Sequence, residues 1–284
     1  MIDQNKNQSR FKILVILGAL CTIGPFSIDM YLPAFSEIAK DLHTDVAKVS
    51  LSVSSYFIGL AVGQILYGPL LDRFGRRPPL FFGLTLYLLS SLVCMSAKSV
   101  ELLIAFRFIQ AIGGCSAQVA STAMVRDFFP VKDAARIFSA LFLMISVSPL
   151  IAPSVGSFVV IAMGWQAVFG LLALIVFLIT LATYFFLPEG HLPDPSVSFN
   201  PKLIFKDMVL IFKHPQFFRY ALAGSFSFAG LFVYVTGSPS IFIDTFHLSK
   251  KAYGGVFALL SVGFIGGSQF NNFLTRKFSN EKIF

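Results

Sequence analysis

Charge is what this sequence has least of. Asp, Glu, Lys and Arg make up 13% of its 284 residues, against about 25% in a soluble domain. Only 14 residues are acidic. With a mean hydropathy of +0.77, that scarcity excludes both a disordered chain and an ordinary soluble globule. Cysteine is nearly absent too. Cys21, Cys94 and Cys115 all lie inside apolar runs and none forms a CxxC pair. That excludes a disulfide framework and offers no zinc site. The four histidines, His43, His191, His214 and His247, fall in predicted loops, where solvated or headgroup-level rings are expected. No GxxxxGK run followed by Ser or Thr occurs, so an ATP-driven pump is not expected. Ten-residue stretches of alternating polarity are missing as well, which excludes an outer-membrane barrel. The formal charge of +8 is too thin and too dispersed for nucleic-acid binding. Nothing points to an enzyme, a metal or an organic cofactor.

What the sequence does have is apolar length. Hydrophobic residues make up 56% of it, with 34 Phe spread from end to end. A membrane helix needs about 20 apolar residues to cross roughly 30 Å of hydrocarbon. Eight stretches qualify: Phe11–Phe35, Val49–Leu71, Leu80–Ala97, Val100–Met124, Ile137–Met163, Trp165–Leu187, Phe217–Ile243 and Ala252–Leu274. The polar, basic N-terminus leads into an apolar run too long for a signal-peptide core and without a small-residue cleavage site, so it reads as the first span. The predicted class is an all-α membrane protein.

Basic residues set the expected orientation. With a cytoplasmic N-terminus, sixteen of the 22 Lys and Arg fall on the inner side, five fall outside and Arg107 lies within a span. That imbalance favours both termini inside and an even number of spans. Residues 1–10 form a cytoplasmic N-terminus, 11–187 a six-helix half, 188–216 a proline-rich cytoplasmic linker and 217–284 a partial second half with two helices. Within the linker, Pro201–His214 has the pattern of an amphipathic helix on the membrane face, with a plain connector as the alternative.

A charge at membrane depth costs at least a few kcal/mol and marks a functional hypothesis. Asp29 in span one and Arg107 in span four qualify. Each lies roughly 10 Å from the outer end of its span at 1.5 Å per residue, so the two are expected to pair. Gly18, Thr22, Pro25 and Asp29 make one small or polar stripe. Arg107, Gln110, Gly114, Gln118 and Ser121 make another. A carboxylate balanced between burial and a neighbouring cation can exchange a proton as its surroundings change. A static buried ion pair that fixes packing is the alternative. Pro25 and Pro33 are expected to interrupt the first span. Pro149 and Pro153, with Ser146 and Gly156 on roughly one face, should let the fifth span bend, against a reading as simple kinked packing. Gly59 and Gly63 form a small-xxx-small pair for packing within the chain. Tyr56, Gln118 and Tyr234 are candidate cavity residues, although aromatic residues in such spans more often pack or face lipid.

The most specific local motif is GPLLDRFGRR, Gly68 to Arg77, between spans two and three. Gly68 permits close helix approach. Asp72 can accept hydrogen bonds from a neighbouring helix N-terminus. Gly75 permits a tight turn, and Arg73, Arg76 and Arg77 face the cytoplasm. A positive-inside anchor explains the arginines but not the Asp and both glycines at this spacing.

This motif resembles motif A of the major facilitator superfamily. RFIQAIGG, Arg107 to Gly114, is similar to its motif B, and PLIAPSVGS in span five to its antiporter motif C, with Ser157 where a second Gly is common. IDMYLPA at Ile28–Ala34, VRDFFP at Val125–Pro130 and TGSPSIFI at Thr236–Ile243 resemble the bicyclomycin-resistance (Bcr/CflA) group of drug/proton antiporters. The resemblance covers essentially the whole chain. It implies a bacterial inner-membrane exporter of small amphipathic, drug-like compounds that works by alternating access, with the proton gradient as its energy source. Its immediate partners would be the lipid bilayer, protons and that substrate. It assigns proton coupling to Asp29, Arg107 and Gln110. It assigns the conformational switch to Gly68, Asp72, Arg73, Gly75, Arg76, Arg77, Arg126, Asp127, Pro149, Pro153 and Gly156. Asp72 would contact the cytoplasmic end of an eleventh helix, with Arg73 and Asp127 as charge partners.

The implied fold has twelve helices in two halves. This chain supplies the complete six-helix N-terminal half and the first two helices of the second, so a C-terminally truncated form without independent transport is expected. A non-transporting remnant, a fragment needing a complementing partner and a proton-coupled uptake permease are the alternatives. DNA sequence beyond Phe284 separates a broken gene from a stable eight-helix product. The sequence carries no specific dimer signature.

Overall fold

The fold was analysed in a computed structural model that describes residues 2–197 and 201–239, then only isolated positions through 274. Contacts divide the chain into two units, one formed by Met1–Ser196 with Phe264–Phe284 and one by Val197–Gly263.

The first unit is a bundle of long helices. α1 runs Ile2–Asp29, and a 3-10 turn at Leu32–Ala34 leads into the short α2, Phe35–Asp41. α3 spans Val46–Phe74, α4 Arg77–Met95, α5 Val100–Phe128, α6 Val131–Met163 and α7 Gln166–Phe186. Six segments here are long and apolar enough to cross a membrane: Arg10–Asp41, Val46–Phe74, Arg77–Met95, Val100–Phe128, Ile137–Met163 and Gln166–Phe186. They coincide with the first six expected spans.

Local chemistry fixes the helix ends. Asp45 caps α3 by accepting from the Lys48 N–H at 2.6 Å, and Ser99 caps α5 by accepting from Leu102 at 3.2 Å. Such caps satisfy backbone donors that the first turn leaves free. Pro78 and Pro79 lie in the first turn of α4, where a missing N–H does no harm. Gly75 ends α3 and Gly164 ends α6, both at φ 84°, a conformation that strains other residues.

The first span departs from expectation. Pro25 lies inside α1 without ending it, and the helix stops only at Asp29. Pro33 sits in the 3-10 turn, where it has no N–H to continue an α-helical ladder. Thus one proline, not two, marks the break.

α5 packs between α3 and α4 and also meets α1, α6 lies along α1, and α7 packs on α4 and α1. Small residues permit these approaches. A Cβ on Gly59 would meet the Phe108 carbonyl oxygen, and one on Gly63 would lie 2.7 Å from the Cys115 Cβ. The small-xxx-small pair therefore joins α3 to α5 within the chain. The core comprises two apolar clusters, one extending through Cys115, Met124 and Leu187, the other through Val49, Leu103 and Trp165.

In the second unit, α8 covers Pro201–Lys213 and packs on α9, Pro215–Pro239. The amphipathic segment expected from the sequence is helical. α9 covers most of the seventh expected span. The eighth, Ala252–Leu274, falls largely outside the described residues.

Candidate functional site

Arg107 is fully buried. Its Nη1 donates to Gln110 Oε1 at 2.7 Å and its Nη2 to the Ser27 carbonyl oxygen at 3.1 Å. That carbonyl belongs to the last turn of α1. The Tyr31 N–H bonds to the Ile28 oxygen, which leaves the Ser27 oxygen for the guanidinium. Arg107 thus closes the negative end of the α1 dipole. Its guanidinium carbon also lies 4.2 Å from the Tyr56 ring centroid, 4.7 Å from Tyr31 and 5.9 Å from Phe169. A desolvated cation–π contact contributes about 2 kcal/mol, and a charged hydrogen bond about 1.5–3 kcal/mol. Arginine at a helix centre costs ~2.5–3.5 kcal/mol on insertion scales. A few such contacts offset that cost without a carboxylate.

Around this cation runs a polar chain. Gln110 Nε2 donates to Ser91 Oγ at 2.6 Å, Ser91 Oγ donates to the Tyr87 carbonyl at 2.8 Å, and the Tyr87 and Ser27 hydroxyls lie 2.5 Å apart. Four helices meet here: α1, α3, α4 and α5.

The expected ion pair between Asp29 and Arg107 is not made. Ion pairs form elsewhere, at Lys48–Glu101, Arg76–Asp72 and Arg76–Asp127. Asp29 is buried at 7% exposure and accepts from Ser148 Oγ of α6 at 3.2 Å. Residues 27 and 29 are separated by ~200° around a helix. Ser27 serves α4 and α5, whereas Asp29 turns to α6.

α6 presents Ser148, Ala152, Gly156 and Val160 as its buried stripe. A Cβ on Gly156 would strike the Met30 carbonyl oxygen, so this glycine sets how closely α6 approaches the end of α1. Pro149 and Pro153 flank the stripe, partly buried, and the helix continues through both. The packing face therefore carries Ser148 and Gly156 rather than the prolines and Ser146.

The arginine-rich turn between α3 and α4 builds a second cluster. Arg76 donates through Nη1 to Asp72 Oδ1 at 2.7 Å and through Nε to Asp127 Oδ2 at 2.9 Å. Burial works against the Arg76 charge, but the hydrogen bonds it donates to Asp127 and Asp72 outweigh it and raise its proton affinity above the ordinary arginine value. The Asp72 side chain is 54% exposed and that of Asp127 13%. Exposed pairs contribute about 0–1 kcal/mol, so Asp127 is the firmer partner. The bridging cation of Asp72 and Asp127 is Arg76, and the Arg73 guanidinium lies over the Phe74 ring at 5.7 Å.

Sequence reasoning missed Glu189. Its Oε1 accepts from the backbone N–H groups of Arg76 at 2.6 Å and Arg77 at 3.2 Å. Glu189, rather than Asp72, therefore takes the helix N-terminus at this turn. Gly190 packs against Asp127 and Arg76, and the Asp194 N–H donates to the Asp72 carbonyl at 3.2 Å. Arg77 Nη2 caps the end of α7 through the Tyr184 carbonyl at 2.9 Å. The available signal was a lone acidic residue just after span six. Glu189→Ala should lower stability by about 0.5–2 kcal/mol, as loss of a helix cap does, and Glu189→Gln by less. Thermal melting of the purified variants checks this.

The remaining expected residues scatter. Tyr56 is fully buried in the Arg107 cage. Gln118 is exposed on α5, away from the buried polar chain, and Arg126 is exposed near the end of that helix. Tyr234 lies on α9 in the second unit, partly buried. A Cβ on Gly68 would meet nothing within 4 Å, so no described neighbour requires glycine there. Among the described residues no group of His, Cys, Asp and Glu could hold a metal.

Comparison with known proteins places this geometry in context. The Major Facilitator Superfamily profile matches residues 15–284. A bicyclomycin resistance protein homolog from Haemophilus influenzae is 32% identical over 98% of this chain and 70% of its own length. The uncharacterized MFS-type transporter YdgK of Bacillus subtilis is 33% identical over 94% of this chain and 67% of its own. A chloramphenicol resistance protein of Pseudomonas aeruginosa is 26% identical over 95% of this chain and 64% of its own. The chain thus spans about two thirds of the length of the curated relatives it matches. Among solved structures, the human organic anion transporter MFSD10 superposes with a TM-score of 0.65 at 16% identity, over 89% of this chain and 70% of that one. The proton:xylose symporter XylE gives 0.58 at 18% identity, over 65% and 46%. With six membrane-length helices, a profile match along nearly its whole length and relatives a third identical, the chain belongs to the major facilitator superfamily, a family of multi-pass membrane transporters rather than enzymes.

Proposed function

We propose that this protein takes part in proton-driven export of small amphipathic toxic compounds across the bacterial inner membrane by alternating access, with both termini cytoplasmic. The observation that carries this reading is Asp29. It is a buried carboxylate in a membrane helix, held by one neutral hydroxyl and, among the described residues, by no cation. Such a group can gain or lose a proton without breaking an ion pair, and its neighbour Ser148 sits on the helix that grips the end of α1. Arg107 and Gln110 act as the fixed polar floor beside it. The Arg76 bridge, with Asp72 and Asp127, is the element that opens and closes. The names of two relatives, given for bicyclomycin and chloramphenicol resistance, support the export direction.

The test is drug accumulation in an efflux-deficient bacterial strain expressing this sequence within an intact twelve-helix transporter, with chloramphenicol, bicyclomycin and a cationic dye as probes. Lower accumulation that a protonophore restores is the expected result. Accumulation equal to the empty vector, or lowered accumulation insensitive to the protonophore, overturns the reading.

A further inference from the structure

The end of the bundle opposite the Arg76 bridge is fastened by two carboxylates that the reading above does not use. Glu37 and Asp41 lie one turn apart on α2. Glu37 Oε1 accepts from the Trp165 backbone N–H at 3.2 Å. Asp41 Oδ2 accepts from the Trp165 indole Nε1 at 2.8 Å and from Gln166 Nε2 at 3.2 Å. Trp165 is 1% exposed and precedes the first residue of α7, so Glu37 also lies at the positive end of that helix. Gly164 makes the turn possible, with φ 84° and a would-be Cβ 3.1 Å from Gln166 Oε1.

The chain between Asp29 and Glu37 has no slack. The Met30 carbonyl lies against Gly156. Tyr31 bonds Ser52 through its hydroxyl at 2.8 Å, and its ring lies 5.1 Å from Phe35 and 5.4 Å from Phe169. Ser27 is tied to α4 and α5 by Tyr87 and Arg107. From Asp29 to Asp41 the chain is tied to α6 at Ser148 and Gly156 and to the start of α7 at Trp165, while Tyr31 bonds Ser52 of α3 and α2 packs on α3. Ser27 is held by α4 and α5 and Asp29 by α6, so a contact with α6 begins at the carboxylate itself.

We infer that Glu37 and Asp41 are positioning residues for Asp29: by holding α2 on the Gly164–Gln166 turn they keep the Asp29 carboxylate against Ser148. The inference rests on the proton role proposed for Asp29, but its test reads placement and not transport.

Trp165 is the sole tryptophan of the chain, so acrylamide quenching of its fluorescence in the purified, nanodisc-embedded protein reports this fastening. Labelling of Asp29 by dicyclohexylcarbodiimide at pH 7, followed by mass spectrometry, reports the carboxylate. The Glu37→Ala/Asp41→Ala double variant should raise quenching. It should also speed Asp29 labelling about fivefold, which is ~1 kcal/mol at 1.36 kcal/mol per decade, the scale of one hydrogen bond. Glu37→Gln/Asp41→Asn keeps the acceptor oxygens and should return both signals toward wild type. Unchanged quenching in the alanine variant overturns the fastening. Raised quenching with unchanged labelling overturns the positioning role. Should the double alanine variant fail to give a monodisperse protein, Asp41→Ala alone is read by the same two outcomes. Loss of transport with both signals as expected counts against the export reading and leaves this inference standing.

Discussion

In the intact twelve-helix transporter, Asp29→Asn is expected to abolish the proton-driven part of drug efflux while leaving the bundle folded. Asparagine keeps the side-chain shape and an oxygen able to accept from Ser148 Oγ, which lies 3.2 Å from the carboxylate. It cannot take up or release a proton in the working pH range. The structure also fixes the size of the folding effect. Were Asp29 the counter-ion of Arg107, neutralising it would strand a buried cation at about 3–5 kcal/mol. Arg107 instead leans on Ser27, Gln110 and three aromatic rings, so the change should stay within about 1 kcal/mol. Two measurements decide the matter. Accumulation of the probe drugs should match the empty vector, and the melting temperature should stay near wild type. Retained protonophore-sensitive efflux removes Asp29 from the proton path. A large fall in melting temperature means that the Arg107 charge depends on it after all.

Gly156→Val is expected to have the largest effect on folding. The first atom added meets the Met30 carbonyl oxygen, which is backbone and has no rotamer to change. Overpacking in a well-packed interior costs about 1–3 kcal/mol or more, and here the strain falls on the turn that follows Asp29. Gly156→Ala should already lower the yield of monodisperse protein, and Gly156→Val should lower it further. Gly24→Ala is the matched control, because a Cβ there meets nothing within 4 Å. It should be neutral or favourable by about 0.5–1 kcal/mol from helix propensity. Size-exclusion profiles and melting curves of the three variants test this. Equal behaviour at the two positions contradicts the described approach of α6 to α1.

Much of the architecture was legible because membrane helices announce themselves by length. The six spans, the positive-φ turn at Gly75, and the helix opening at Pro201 all rest on local chemistry. The buried charges Asp29 and Arg107 of the candidate site were legible as well, since a charge inside an apolar run stands out. Their partners were not. Ser148 lies 119 residues from Asp29, and a serine in a membrane helix has many uses. A carbonyl oxygen and three ring faces leave no charge pattern, so depth alone suggested a carboxylate for Arg107. Arg76 and Arg73 could not be told apart by type. Only the geometry of the turn, with Glu189 seated on the following helix, brings out the Arg76 bridge. Glu37 and Asp41 follow the first span and carry no sequence signal of their contact with Trp165, more than 120 residues on.

The groups that receive Arg107 have an order along the chain. Ser27 and Tyr31 arrive with the first helix, Tyr56 with the third and Ser91, which anchors Gln110, with the fourth. Among the described residues, only Phe169 follows. A chain threaded into a bilayer from its N-terminus therefore lays down the dock before the arginine helix emerges, and that helix need not wait in hydrocarbon for a later partner. A circular permutant beginning at Val100 reverses the order. Its arginine would enter the membrane alone, and its insertion efficiency would record how much the natural order of synthesis contributes.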